Sequence, residues 1–294
     1  MNSPKSHKNH PLKAALWMLG AAISFTSMAV AGREISHELD TFEIMMYRSF
    51  IGIIIVLTVA YFSNTLQQIN RQRLGLHFIR NLSHFTGQNL WFYAIALIPL
   101  AQLSAFEFST PLWVALLAPF FLNERLTKVR LLAVSIGFAG ILMVAKPGSV
   151  ALNPGTIAAL LCAIGFAGSL IATKLLSRTT STTCIMFWLT VMQAIFGIIC
   201  AGFDGDVTVP GAAILPGVFI VGFAGLLAHY CLTTALRFAP AVIISTIDFI
   251  RLPIMALVGM LLYQEMLDGW FILGALLVFG GNFLNIYWEG RKKV

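Results

Sequence analysis

Apolar residues in this chain form long runs that are separated by short polar segments. Ten of these runs approach the roughly 20 residues that a helix needs to cross a hydrocarbon core of about 30 Å. Because the runs do not alternate between apolar and polar residues, as barrel strands would, each predicts a transmembrane α-helix. We therefore expect an all-α membrane protein with ten spans. The predicted spans are 14–33, 41–62, 75–98, 101–122, 128–146, 154–176, 183–203, 213–236, 240–263 and 268–288.

The composition agrees with a chain whose solvent is mostly lipid. It is 58% hydrophobic and 11% charged, with a mean hydropathy of +0.85, whereas soluble domains carry about 25% charged residues. The sequence has no phosphate-binding glycine loop, HExxH motif, CxxC pair or nucleophile elbow. ATP-driven pumping and enzymatic activity therefore have no support, and we predict no metal and no cofactor.

The net charge of +7 is explained by where the basic residues lie. If the N-terminus is inside, Lys and Arg concentrate in the inner segments, among them Arg71, Arg73 and Arg80. Only Arg33 and Lys146 lie in outer segments. This asymmetry predicts a cytoplasmic-membrane protein with both termini in the cytoplasm. The expected partners are then the lipid bilayer and a small-molecule substrate, with no nucleic acid, and the chain is expected to be a monomer or homodimer.

Part of the sequence occurs twice. Residues 111–126 read PLWVALLAPFFLNERL, and residues 252–267 read LPIMALVGMLLYQEML. The two segments align at a shift of 141 positions, and internal duplication in a very apolar chain is typical of secondary transporters. The same shift places Glu107-Phe108 on Asp248-Phe249, Glu124 on Glu265 and Gly140 on Gly281.

A Pro- and Gly-rich joint near the middle of the chain divides it into two predicted repeats. We expect residues 1–149 to hold spans 1–5 and residues 150–294 to hold spans 6–10. Because each repeat has an odd number of spans, the second enters the membrane from the opposite side, and the repeats are inverted. Small residues in spans 5 and 10 predict close helix packing. They include Gly137, Gly140, Gly274, Gly280 and Gly281.

Two acidic residues, Glu107 and Asp248, are predicted to lie inside the membrane at equivalent positions of the repeats. Ionisable groups at this depth are usually functional, so both are candidates for substrate binding or proton coupling. The alternative is charge pairing. Arg48, a further gating or coupling candidate, could pair with Glu107. Arg251, three residues from Asp248 on the same helical face, could pair with Asp248.

Span 3 carries a polar stripe formed by Asn81, His84, Gln88 and Trp91. A polar face does not point at lipid, so we expect it to face the substrate path, where His84 is another candidate for proton coupling or gating. Span 8 offers His229 and Tyr230, for which a packing role explains the sequence equally well.

Aromatic residues Phe108 and Phe249 flank the acidic pair. Aromatic faces beside carboxylates suit an organic cation or zwitterion. Glu124 and Glu265 lie at span ends, so we predict that they form salt bridges there and do not bind substrate. The candidate substrate-binding residues are therefore His84, Gln88, Trp91, Glu107, Phe108, His229, Tyr230, Asp248, Phe249 and Arg251.

Several local features mark a known family. They are Arg48 in span 2, Ala96-Leu97 ending span 3, Pro111 with Phe121-Leu122-Asn123-Glu124, and Arg251-Leu252-Pro253 with Glu265. With the ten spans, these features resemble the EamA type of the drug/metabolite transporter superfamily over nearly the whole chain. The resemblance implies membrane transport and a central cavity lined chiefly by spans 1, 3, 4, 6, 8 and 9. It does not specify the substrate, because similar proteins carry amino acids, nucleotide-related metabolites, vitamins and cationic compounds.

We therefore predict a secondary transporter that moves a small polar organic metabolite by alternating access. An amino-acid-like, zwitterionic or cationic substrate fits a site with both signs of charge. Uptake of a nucleoside-type metabolite such as S-adenosylmethionine is the alternative, and the direction of transport and proton coupling stay open. A membrane-embedded enzyme is disfavoured, because it would need catalytic groups clustered near one interface, whereas the buried charges are spread over spans 2, 4 and 9. A channel, the other alternative, would show a pore-lining ring and flux that does not saturate.

Overall fold

The computed structural model describes residues 11–121, 127–145, 153–203, 205–235, 238 and 247–291. These residues form α-helices joined by short loops, with one 3-10 helix at Leu66–Gln68 and no strand among them. The helices are α1 (Pro11–Ile35), α2 (Thr41–Phe62), α3 (Leu74–Leu97), α4 (Leu100–Glu107), α5 (Thr110–Phe121), α6 (Lys128–Ala145), α7 (Pro154–Leu176), α8 (Thr182–Ala201), α9 (Leu215–Ala235), α10 (Arg251–Tyr263) and α11 (Gly269–Arg291).

These helices account for the ten predicted spans and confirm an all-α membrane fold. Within the described ranges, seven segments are long and apolar enough to cross a membrane, with α4 and α5 counted as one span. The apolar stretches counted for α10 and α11, Arg251–Tyr263 and Gly269–Asn285, are shorter, at 10–17 residues. Helix α3 is long enough to cross a membrane, at 24 residues, but it is not among the seven segments; it carries the polar stripe. A few positions of the predicted spans lie outside the described residues: 122, 146, 236 and 240–246.

Short polar side chains set where several helices begin. Asp40 and Glu43 form a capping box at the start of α2, with hydrogen bonds of 2.8 and 2.9 Å between side chain and backbone. Asn153 caps α7 by accepting the N–H of Thr156 at 2.8 Å, and Pro154 occupies the first helical position. These caps satisfy N–H groups that the helix itself leaves without partners.

The fourth predicted span is not one continuous helix. Helix α4 ends at Glu107, and α5 begins at Thr110, just before Pro111, which lacks a donor N–H and disfavours helical geometry in the residue before it. At the gap, Ser109 donates its Oγ hydrogen to Phe106 O at 2.6 Å, and Thr110 donates to Glu107 O at 2.7 Å. The hydroxyls therefore satisfy carbonyls that the interrupted ladder leaves open.

The second repeat contains a matching interruption. Phe249 and Ile250 form a turn before α10 begins at Arg251, two residues ahead of Pro253. The two interruptions therefore flank Glu107 and Asp248, the acidic pair related by the shift of 141 positions. Broken helices at equivalent places of inverted repeats are where secondary transporters place their binding sites.

Helix packing obeys the pseudo-two-fold relation of the repeats. Helix α1 packs along α9, and α3 packs along α7, so exchange of the two repeats converts one pair into the other. Helices α2 and α8 form one pair and α6 and α11 another, and each of these pairs maps onto itself. With α4 and α5 taken as one span, the helices thus form two inverted repeats of five spans each, which pack against each other through these pairs.

Candidate functional site

The two helix interruptions bring three charged side chains together, which we call the charged triad (Glu107, Asp248 and Arg251). Arg251 NH1 lies 2.9 Å from Glu107 Oε1, and its NH2 lies 3.4 Å from Asp248 Oδ2. Trp91 of α3 donates its Nε1 hydrogen to Glu107 Oε2 at 2.9 Å. Two carboxyl groups therefore share one guanidinium, so the triad holds one more acidic group than basic groups.

The triad settles which charges pair. The expected contact between Asp248 and Arg251 is present, because residues three apart lie on one helical face. The sequence alone suggested that Arg48 could pair with Glu107, but this contact is not present among the described residues. The partner of Glu107 is Arg251, which stands at the first position of α10 and reaches across to the end of α4.

Aromatic rings enclose the guanidinium of Arg251. Its Cζ lies 4.7 Å from the ring centroid of Phe25 and 4.7 Å from that of Phe108. Phe108 stacks on Phe249 with centroids 4.8 Å apart, and Asn282 donates Nδ2 to Phe108 O at 2.6 Å. Cation–π attraction is stronger where water is excluded, so these rings help to hold a cation at this depth.

A second polar group lies on the far side of Phe25. The Phe25 ring meets His229 of α9 edge-on at 5.5 Å, and His229 lies 6.3 Å from His84 of α3 between ring centroids. His84 Nδ1 is 2.7 Å from Gln193 Nε2 of α8. Asn81, one turn away on α3, donates to Trp188 O at 3.0 Å. The stripe on α3 therefore divides: Trp91 lies beside the triad, His84 lies beside His229, and Asn81 bonds to α8.

Two other candidate residues join neither group by a hydrogen bond. Gln88 is buried on α3, and its side chain makes no hydrogen bond to another described residue. Tyr230 is 59% exposed and packs edge-on against Trp17, so it faces outward.

Two further residues belong to the site although the sequence did not predict them there. Phe25 had no polar signal in the sequence, and Arg80, counted with an inner segment, is buried in the second turn of α3.

At the predicted outer end of the bundle, one salt bridge ties three segments together. Arg33 at the end of α1 pairs through NH1 with Glu265 Oε1 and donates NH2 to Ile98 O at 2.9 Å. Glu265 Oε2 accepts the N–H of Leu100 at 2.9 Å, so it also caps α4. The salt bridge predicted for Glu265 is present, and it closes this end of α1, α4 and α10. Glu124, its counterpart, lies outside the described residues.

We expect Arg33 and Glu265 to be energetically coupled. In a double-mutant cycle with Arg33→Gln and Glu265→Gln, the coupling should be about 1 kcal/mol, because the pair is largely shielded from solvent and each loss strands the other charge. The measurement is thermal unfolding of the four proteins in detergent. Additive losses would show that the pair contributes no joint stability to this closure.

Comparisons with known proteins agree with this architecture. The model of the EamA-like transporter family matches residues 12–146 and again residues 153–287. The S-adenosylmethionine uptake transporter of Rickettsia bellii is 28% identical over 277 residues, covering 94% of each protein. The riboflavin transporter of Brucella anthropi is 29% identical over 218 residues, covering 73% of this chain and 77% of that protein.

A solved structure supports the fold separately. It superposes with a TM-score of 0.66 at 18% sequence identity, covering 96% of this chain and 99% of the other. Two family matches, one in each half, together span most of the chain. The chain therefore belongs to the EamA-like transporter family and is a multi-pass membrane protein that transports a small metabolite.

Proposed function

We propose that this protein is a secondary carrier for an amino-acid-like metabolite with a cationic group. It would work by alternating access in the cytoplasmic membrane, with both termini inside. The observation that carries this proposal is the charged triad, in which two carboxylates share Arg251 beside the helix interruptions. An excess negative charge in a low-dielectric site favours binding of a cation.

Asp248 is the carboxylate best placed to receive the cargo. Its contact with Arg251 is the longer of the two, at 3.4 Å, and its Oδ1 has no partner among the described residues. Glu107 is held on both oxygens, by Arg251 and by Trp91. An ammonium or sulfonium group would therefore compete with Arg251 for Asp248, while Glu107 keeps Arg251 in place. The stacked Phe108 and Phe249 would offer their faces to that cation.

The relatives suggest which compound to test first. S-adenosylmethionine combines an α-amino acid group with a sulfonium cation, so its charges complement the triad. Riboflavin has no fixed positive charge and would leave the excess carboxylate charge unmatched. We therefore propose S-adenosylmethionine, or a compound with the same charged groups, as the candidate cargo of this chain.

Counterflow in liposomes tests the proposal. Vesicles containing purified protein and unlabelled S-adenosylmethionine should accumulate the labelled compound transiently, with an initial rate that saturates as its external concentration rises. A channel would give flux that neither saturates nor depends on internal substrate. Parallel vesicles loaded with methionine, lysine, a polyamine or riboflavin rank the alternatives. Counterflow with riboflavin and with no cationic compound would contradict the proposal.

A further inference from the structure

Arg48 and Arg80 are membrane-embedded cations that form no ion pair with any described residue. Arg80, in α3, is 6% exposed and donates Nε to Thr173 Oγ1 at 3.1 Å and NH1 to Asn81 Oδ1 at 2.7 Å. Arg48, in α2, is half-buried, and its NH1 donates a weak hydrogen bond to Met45 Sδ at 3.7 Å. Neutral partners do not balance a buried charge, and uncompensated cations at such depth usually mark a substrate or ion site.

The two arginines flank the imidazoles on the far side of Phe25. Arg80 precedes His84 by four residues on α3, so the two side chains share a helical face. A Cβ placed on Gly225 would lie 3.0 Å from Arg48 NH2, and Gly225 precedes His229 by four residues on α9. The rings of His84 and His229 are 6.3 Å apart, and both lie within electrostatic range of both guanidiniums. We call these four residues the basic wall (Arg48, Arg80, His84 and His229).

The buried carboxylates near the wall already have partners. Glu107 and Asp248 both contact Arg251, and Phe25 stands between Arg251 and His229, at 4.7 and 5.5 Å respectively. Glu43, at the start of α2, accepts backbone N–H groups from its own capping box and from Thr208. Within the described part of the chain, no buried carboxylate is therefore left to neutralise Arg48 or Arg80.

We propose that the basic wall binds the anionic group of the cargo, its carboxylate. Guanidinium groups bind carboxylates through paired, charge-assisted hydrogen bonds, and the imidazoles add further polar contacts. This inference rests on the proposed function and orients the cargo within it. The carboxylate lies against Arg48 and the histidines, and the cationic group lies against Asp248, with Phe25 between them. Specificity for zwitterions over simple cations then depends on Arg48.

The first test needs no ligand. Arg48→Met should leave the melting temperature of the purified protein unchanged or raise it, because the variant removes an uncompensated cation and keeps a side chain of similar length. Arg251→Met is the matched comparison and should lower the melting temperature, because Glu107 and Asp248 then face each other unpaired. If Arg48→Met is destabilised as much as Arg251→Met, Arg48 is a structural residue and the inference is wrong.

The second test compares each acid with an analogue that lacks the carboxylate. The probes are L-methionine with L-methioninamide, L-lysine with L-lysinamide, and S-adenosylmethionine with its decarboxylated form, with binding followed by thermal stabilisation. The acid should bind about tenfold more tightly to the wild type, and this preference should disappear in Arg48→Gln and persist in Arg48→Lys.

The outcomes separate the two proposals. If analogues bind as tightly as acids and binding still requires Asp248, the cation site stands and the carboxylate site is rejected. If the preference for acids survives Arg48→Gln, another residue binds the carboxylate and the inference is rejected. If no probe binds, the proposed cargo class fails, and destabilisation of Arg48→Met would then reject the anion site as well.

Discussion

Replacing Asp248 by Asn should reduce carriage by about 10- to 100-fold while leaving the fold intact, the effect of losing one charge-assisted contact in a buried site. Asn keeps the size of the side chain and still offers Arg251 an oxygen, at a contact that is already long at 3.4 Å. The substitution removes the negative charge that the cationic group of the cargo is proposed to meet. The measurement is the initial rate of counterflow, with thermal unfolding of the same preparation.

Glu107→Gln is the matched variant, and it should fail in a different way. Glu107 has two contacts of 2.9 Å, from Arg251 and from Trp91, so the change releases Arg251 from its shorter ion pair. Both the rate of counterflow and the melting temperature should therefore fall, whereas Asp248→Asn lowers only the rate. Normal counterflow by Asp248→Asn would show that Asp248 does not bind the cargo. A slower rate that is fully explained by a smaller folded fraction of the variant would show the same.

The sequence predicted the parts of the site that depend on local spacing or on the repeat. The contact between Asp248 and Arg251 follows from their separation of three residues on one helical face. The shift of 141 positions makes Glu107 and Asp248 equivalent in the sequence itself. The pair between Glu107 and Arg251 joins residues 144 positions apart in the chain. This pair depends on where the two helices are interrupted, and the pattern of hydrophobic residues does not specify those positions.

Other features could not be derived because a side chain's direction depends on its neighbours. Tyr230 follows His229 directly, but adjacent residues point about 100° apart on a helix, so one faces His84 and the other faces outward. Arg80 lies near the cytoplasmic start of predicted span 75–98, so the charge asymmetry counted it with the inner segments although it belongs to the helix. Phe25 is one of many aromatic residues in the chain, and only the fold places it between Arg251 and His229.

Gly281→Ala should destabilise the protein by about 2–3 kcal/mol, because it overpacks a contact between two backbones. A Cβ at Gly281 would lie 2.6 Å from Ala133 O and 2.8 Å from Gly137 N, and backbone atoms cannot turn aside as side chains do. Gly280→Ala is the control, since nothing lies within 4 Å of a Cβ at Gly280. It should be neutral or slightly stabilising, because Ala favours helix over Gly. Thermal unfolding of both variants measures the difference.

The repeat supplies a second, independent version of this prediction. A Cβ at Gly140 would lie 2.5 Å from Gly274 O and 2.7 Å from Val278 N. Shifted by 141 positions, these partners are Ala133 and Gly137, the partners of Gly281. Gly140→Ala should therefore destabilise the protein about as much as Gly281→Ala, by about 2–3 kcal/mol. Equal losses from the two glycines, with none from Gly280→Ala, are expected of a symmetric α6–α11 seam. A large loss from only one of them would mean that the two repeats do not share this contact equally.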